Sequence, residues 1–116
     1  MAYGKTEDIV NSIVNYNDIL AFQNFMQGGT GVHGVGHFTV SGDPGGDFYI
    51  SPNEPSFWLH HAMIDRIWTI WHMMGGGRAQ SLDDLVDLGV IADTVYPIRD
   101  ILSSVDGPGP FCYVYE

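Results

Sequence analysis

Five histidines stand in the sequence, and four of them, His33, His37, His60 and His61, fall within 29 residues. His33 and His37 are four apart, which on a helix sets both imidazoles on one face, close enough to share a metal ion. His60 and His61 are adjacent, so on a helix they point about 100° apart and only one can join that metal. Asp65 lies four residues after His61, placed to orient its imidazole from behind the ligand shell. Arg66 can instead neutralise Asp65. Three neutral nitrogen donors with an open coordination position suit a catalytic ion. A lone histidine on an apolar helix is more often a hydrogen-bonded core residue, and an H-x-x-x-H pair by itself is a modest signal. The pair together with the doublet, Asp65 and Arg66 is more demanding and favours a metal site. His72 stands apart and reads as a surface or packing residue.

These side chains need elements to hold them. Residues 6 to 27 predict a helix, with Thr6 as the cap, Glu7 and Asp8 at the positive end of the dipole, and Ile9, Ile13 and Val14 at helical spacing. The pattern resumes at Ile19, Leu20, Phe22, Phe25 and Met26 after a break near Tyr16-Asn17-Asp18. Residues 28 to 54 are glycine-rich and predict a long loop with one short helical turn, a type of segment that is usually functional. Gly34 and Gly36 each weaken that turn by roughly 1 kcal/mol against alanine, and they leave space beside the imidazoles for a ligand or another helix.

Residues 55 to 74 predict the strongest helix, with Pro55 at its first position and Asn53 or Glu54 as cap. It is apolar nearly all round and so is expected to be buried, with Trp58, Trp68 and Trp71 in the core. Phe57, one turn before His61, reads as core too, or as a wall above the metal. Gly75-Gly76-Gly77 ends the helix. A short helix is expected from Ser81, a further segment around 95–102, and a short C-terminal strand over Phe111-Cys112-Tyr113-Val114-Tyr115.

The chain has 116 residues, 45% of them hydrophobic, and a net charge of −10. That length fits one core-forming domain. The charge repels a phosphate backbone and an anionic lipid surface, so neither nucleic acid nor membrane is expected as a partner. No apolar run is long enough to span a bilayer, and residues 2 to 8 are polar, without a signal peptide's apolar core. Cys112 is the single cysteine; it reads as a small buried residue and fits an intracellular, reducing compartment.

The run His33-Gly34-Val35-Gly36-His37, followed by Ser51-Pro52-Asn53-Glu54-Pro55-Ser56-Phe57-Trp58-Leu59-His60-His61-Ala62-Met63-Ile64-Asp65-Arg66-Ile67-Trp68, resembles the copper B half of tyrosinases, catechol oxidases and molluscan-type haemocyanins, the type 3 copper proteins. The closing Phe111-Cys112-Tyr113-Val114-Tyr115-Glu116 resembles the Tyr-x-Tyr end of the fungal catalytic domain. The resemblance implies a mainly α fold, part of a four-helix bundle with long glycine-rich loops. It implies copper on His33, His37 and His61, with His60 and Asp65 behind the ligands and Phe57 at the substrate pocket. It further implies oxidation of o-diphenols to o-quinones with O2, and hydroxylation of monophenols in true tyrosinases.

The family's copper A half carries three more histidines, and outside the copper B set only His72 remains. Residues 1–116 are therefore expected to form one partial domain, competent only when a copper A half is supplied. Such a portion is expected to leave part of the 55–74 helix open to that half or to a second copy of the chain. Gly34 stands where many tyrosinases have Asn, and Glu54-Pro55 where Asp-Pro is usual. Asn24 and Gln27 lie where some tyrosinases place a Glu that helps deprotonate a phenol. With no carboxylate between Asp18 and His33, diphenol oxidation is favoured over monophenol hydroxylation. The rival readings are a mononuclear three-histidine module, copper or zinc, and a non-catalytic fragment that holds no metal.

Overall fold

The computed structural model describes residues 4–76, 78, 82–87, 95–106 and 113–116. The chain divides into two compact units, Met1–Arg78 and Ala79–Glu116. The fold is mainly α, as expected.

The first unit holds α1 (Thr6–Asn15), α2 (Ile19–Gln27), α3 (Val32–Val40), a 3-10 turn (Ser51–Asn53) and α4 (Pro55–Met73). The expected break at residues 16–18 separates α1 from α2. Thr6 is not the cap of α1. Lys5 holds that position, and its backbone N–H donates to the Asp8 carboxylate at 2.9 Å. Asp18 caps α2 by accepting from the Ala21 N–H at 2.9 Å. Glu54 caps α4, with Pro55 at the first helical position. Gly75 and Gly76 follow its end at φ +66° and +73°, a region that a side chain would strain.

The glycine-rich stretch was expected to hold only one helical turn, but α3 runs for nine residues. Helix propensity alone disfavours it. What stabilises it is close approach to its neighbours. The Gly34 Cα faces the Gly28 carbonyl, where an added Cβ would stand 3.0 Å from the oxygen, and Gly36 lies against the His60 ring. Helix α3 packs between α2 and α4, and α4 also packs on α1.

Phe22, Met26, Val32, Ile67 and Trp71 form the buried core, with Ile9, Ile13, Tyr16, Phe25, Ile64 and Trp68 packed around it. Trp71 is fully buried, its ring stacked on Phe22 at 4.4 Å and its indole N–H donated to the Tyr16 carbonyl. The apolar character of α4 all round gives burial on one side only, and the other side is open, as expected of a portion that lacks half of its bundle. Trp58, placed in the core by its sequence context, is 64% exposed, and Leu59, Met63, Ile70 and Met73 are exposed with it. Among the described residues α4 is covered where it meets α1, α3, the 3-10 turn and Phe22 of α2, because a helix buries as many stripes as it has neighbours.

In the second unit, Leu85–Asp87 (β1) pairs antiparallel with Val95–Pro97 (β2), Val86 opposite Tyr96, and α5 (Ile98–Ile101) follows. The helix expected from Ser81 does not form over the described residues. Leu82 and Asp83 make a turn, and Leu85-Val86-Asp87 is drawn into the β ladder. Among the described residues the sheet is here. Residues 113–116 carry no regular secondary structure, and Tyr113 N–H bonds the Ser104 carbonyl at 2.9 Å. Phe111 and Cys112 lie outside the described residues, as does Ser81.

Candidate metal centre

Two elements bring the histidines together. Helix α3 presents His33 and His37 from successive turns of one face, and α4 presents His61 across from them. The Nε2 atoms of His33 and His61 lie 3.1 Å apart, and those of His37 and His33 3.3 Å apart. One ligand atom from each of the three residues falls within 4.8 Å of the others. A metal held at about 2.0 Å from each of its nitrogens in tetrahedral geometry sets them about 3.3 Å apart. The observed spacing fits one ion.

The outer nitrogens fix the chemistry of the inner ones. His33 Nδ1 is 2.7 Å from Gln27 Oε1, His61 Nδ1 is 2.8 Å from the Phe57 carbonyl oxygen, and His37 Nδ1 is 3.4 Å from the Gly45 carbonyl oxygen. A carbonyl oxygen only accepts, so in each pair Nδ1 carries the proton and donates it. Each Nε2 is left with a bare lone pair directed at the common point. Three lone pairs so close repel one another unless a cation or a proton stands among them, and this donor set suits a late first-row metal. The same crowding is electrostatic. Burial first, and then the neighbouring rings of His61, His37 and His60, hold the His33 imidazole down to about 4, from an ordinary 6.5. The ring therefore stays neutral and able to ligate at physiological pH.

His60 is in the same cluster but turned away. Its Nε2 donates to the His33 carbonyl oxygen at 2.8 Å, and its ring lies nearly parallel to that of His33 at 5.6 Å. Its proton sits on the nitrogen opposite to the one protonated in the three converging rings. Burial lowers its pKa, against the raising effect of its bond to His33. It ties α4 to α3 behind the centre. Phe57 stacks on His61 at 3.9 Å and 30° and lies 5.8 Å from His37, forming an apolar wall beside the two rings. Asp65 is half-buried on α4. The Nδ1 proton of His61 is bonded by the Phe57 carbonyl, one turn back along the helix. His72 packs on Trp68 at 5.1 Å and bonds the Arg78 carbonyl at 3.1 Å, the packing role expected of it. Sequence reasoning missed the three oxygens that fix the rings. Two are backbone carbonyls without a signature in residue type, and Gln27 is informative only once α2 is seen to end beside His33.

The chain matches the family description "Common central domain of tyrosinase" over residues 1–74. It is 31% identical to Tyrosinase P of Aspergillus terreus over 133 residues, which cover 94% of this chain and 36% of that protein. It is 26% identical over 147 residues to the N-acetyl-6-hydroxytryptophan oxidase ivoB of Emericella nidulans, covering 98% of this chain and 38% of the relative. The structure of a polyphenol oxidase from Thermothelomyces thermophila superposes with a TM-score of 0.74 at 25% identity, covering 97% of this chain and 38% of that one. The fold and the three-histidine cluster match those of the tyrosinases, a family of copper phenol oxidases. The chain belongs to the tyrosinase family. It spans little more than a third of the length of these relatives. The family binds copper, and the His33, His37 and His61 cluster is compatible with a copper B site.

Proposed function

We propose that this chain is the copper B portion of an oxidoreductase that oxidises o-diphenols to o-quinones with O2, acting together with a second three-histidine copper site. The observation that carries the reading is the convergence of three Nε2 lone pairs, each secured by a carbonyl oxygen on the far side of its ring. His33, His37 and His61 hold the ion. Gln27 and the Phe57 and Gly45 carbonyls fix the ring tautomers. His60 fixes the spacing of the two ligand-bearing helices. Phe57 shields the His61 face from water and offers a flat apolar surface to a phenolic ring. Bound copper supplies a redox couple and open coordination positions, through which an o-diphenol gives up two electrons and O2 receives them. Each diphenol loses its two hydroxyl protons with its two electrons, so two diphenols would be oxidised for each O2 reduced to two waters.

The histidine inventory favours a second reading for the chain by itself. Of its five histidines, three converge, and His60 and His72 bond backbone carbonyls. A second three-histidine centre cannot be assembled from what remains. In isolation the chain is then a mononuclear site.

The test is copper loading of the chain, followed by metal analysis, electron paramagnetic resonance and oxygen uptake with catechol. The expected result is one copper per chain, a mononuclear Cu(II) signal and no turnover. Supplying the N-terminal portion of Tyrosinase P should quench that signal and start oxygen uptake. Failure to bind copper overturns the reading. Unchanged signal and no uptake from a verified complex would leave the mononuclear module in its place.

A further inference from the structure

We propose that Gln27 is a positioning residue for the metal centre, its side-chain oxygen selecting the tautomer and ring orientation in which His33 can ligate. This rests on the reading of His33, His37 and His61 as a metal site. The three rings are not secured alike. His37 and His61 each donate Nδ1–H to a backbone carbonyl, at Gly45 and Phe57. A main-chain oxygen is the same whatever residue carries it. His33 alone donates to a side chain, Gln27 Oε1, at 2.7 Å, the shortest of the three contacts. Gln27 is the last residue of α2 and is exposed. It reaches His33 because residues 28–31 fold into a tight turn, with the Gly31 N–H on the Gly28 carbonyl at 2.7 Å.

The consequence is chemical. In a free neutral histidine side chain the proton prefers Nε2, so His33 is held in the Nδ1–H form only while an acceptor faces Nδ1. Without that acceptor the proton can move to Nε2, the atom that lies 3.1 Å and 3.3 Å from the other two ligating nitrogens. A proton there occupies the lone pair the ion needs. Gln27 touches the side of the ring remote from the converging nitrogens. An amide is also a weaker acceptor than a carboxylate, so it fixes the tautomer without drawing the ring toward imidazolate. Gln27→Glu should therefore strengthen the ligand, and Gln27→Met, similar in length and without an acceptor, should release it.

Two readouts on the full chain test this. Long-range 1H–15N spectra of the metal-free protein should show His33 as the Nδ1–H tautomer in the wild type and in Gln27→Glu, and a mixture in Gln27→Met. Competition against a chelator should show copper bound about 10- to 100-fold more weakly by Gln27→Met, and at least as tightly as wild type by Gln27→Glu. The Cu(II) resonance parameters of Gln27→Glu should shift. Thermal melts of the metal-free variants should match wild type, because Gln27 is exposed. An unchanged tautomer in Gln27→Met, or wild-type copper affinity, overturns the inference. So does equal weakening by both variants with a lowered melting temperature, which marks a structural role. Loss of copper binding in the wild type itself, with the tautomers as described, fails the metal reading and leaves Gln27 as the residue that sets the His33 ring.

Discussion

The imidazole of His60 fills the space where a side chain at Gly36 would stand. A Cβ built on Gly36 would lie 2.1 Å from His60 Cε1, far inside van der Waals contact. Helices α3 and α4 approach closely enough for His60 to bond the His33 carbonyl only because residue 36 has no side chain. Gly36→Ala gains roughly 1 kcal/mol of helix propensity and meets an overpacking cost of about 1–3 kcal/mol. The net outcome is a loss of about 1 kcal/mol, with weaker metal binding because the two ligand-bearing helices are pushed apart. Urea unfolding of Gly36→Ala, His60→Ala and the double variant checks this. The two changes should be non-additive, the double variant being more stable than the sum predicts.

The same contact shows what the sequence could and could not disclose. The H-x-x-x-H spacing, the apolar helix and its Pro55 start are local patterns, and each survived into the structure. The length of α3 was not legible, because local propensity scores Gly34 and Gly36 as breakers. The close approaches that stabilise the helix, to Gly28 and His60, involve residues distant in sequence or hidden in the backbone. The strand at Leu85-Val86-Asp87 was misread for a related reason. Ser81 and two aspartates look like a helix start, but pairing with Val95-Tyr96-Pro97 is decided by residues eight or more positions away. At the candidate metal centre the His33 and His37 pair was legible in its spacing, His61 was separated from His60 only by the family resemblance, and the structure brings the three together. Their tautomers were not legible, since Gly45 and Phe57 act there through main-chain oxygens.

Trp71 should dominate the stability of the first unit. It is fully buried, stacks on Phe22 and donates its N–H to Tyr16 at the α1–α2 break. Trp71→Ala should cost about 3–5 kcal/mol, enough to unfold a unit of this size. Trp58→Ser, at an exposed site on the same helix, should change stability by less than about 0.5 kcal/mol. Denaturant unfolding followed by circular dichroism separates the two.

Acid should destabilise the metal-free protein through His33. Unfolded, its ring takes up a proton as the pH falls through 6.5; folded, it stays neutral until about 4. Between those values the unfolded state binds more protons, so stability rises with pH across the window and is lost as the pH drops toward 4. Melting temperatures of metal-free protein should fall from pH 7 to pH 5. The fall should be shallower in His33→Ala. Equal slopes in the two proteins would assign the acid sensitivity elsewhere.

The outer side of α4 should drive association of the isolated chain. Trp58, Leu59, Met63, Ile70 and Met73 are exposed on this helix, and exposed apolar side chains grouped on one element favour contact with other molecules. Light scattering should give a mass that grows with concentration, and Leu59→Lys with Met63→Lys should lower it. A monomer at every concentration would remove this expectation.

His60 and His61 are neighbours on α4, yet their variants should differ sharply. His61 directs Nε2 at His33 Nε2, 3.1 Å away, while its Nδ1 is held by the Phe57 carbonyl. His60 spends its Nε2 proton on the His33 main chain. His61→Ala therefore deletes a donor from the set of three and should bring copper below one per chain, with affinity reduced at least 100-fold. His60→Ala keeps all three donors and should retain one copper per chain, with an affinity loss of about 10-fold from looser helix spacing. Saturating copper at about 100 times its dissociation constant stabilises a folded protein by about 2.7 kcal/mol. Copper should thus raise the melting temperature of wild type and of His60→Ala, and a chelator should reverse the rise. His61→Ala should melt at the same temperature with and without the metal. Metal analysis and melting curves on the two variants give the answer, and equal behaviour of the pair would mean that α4 does not contribute its ligand through His61.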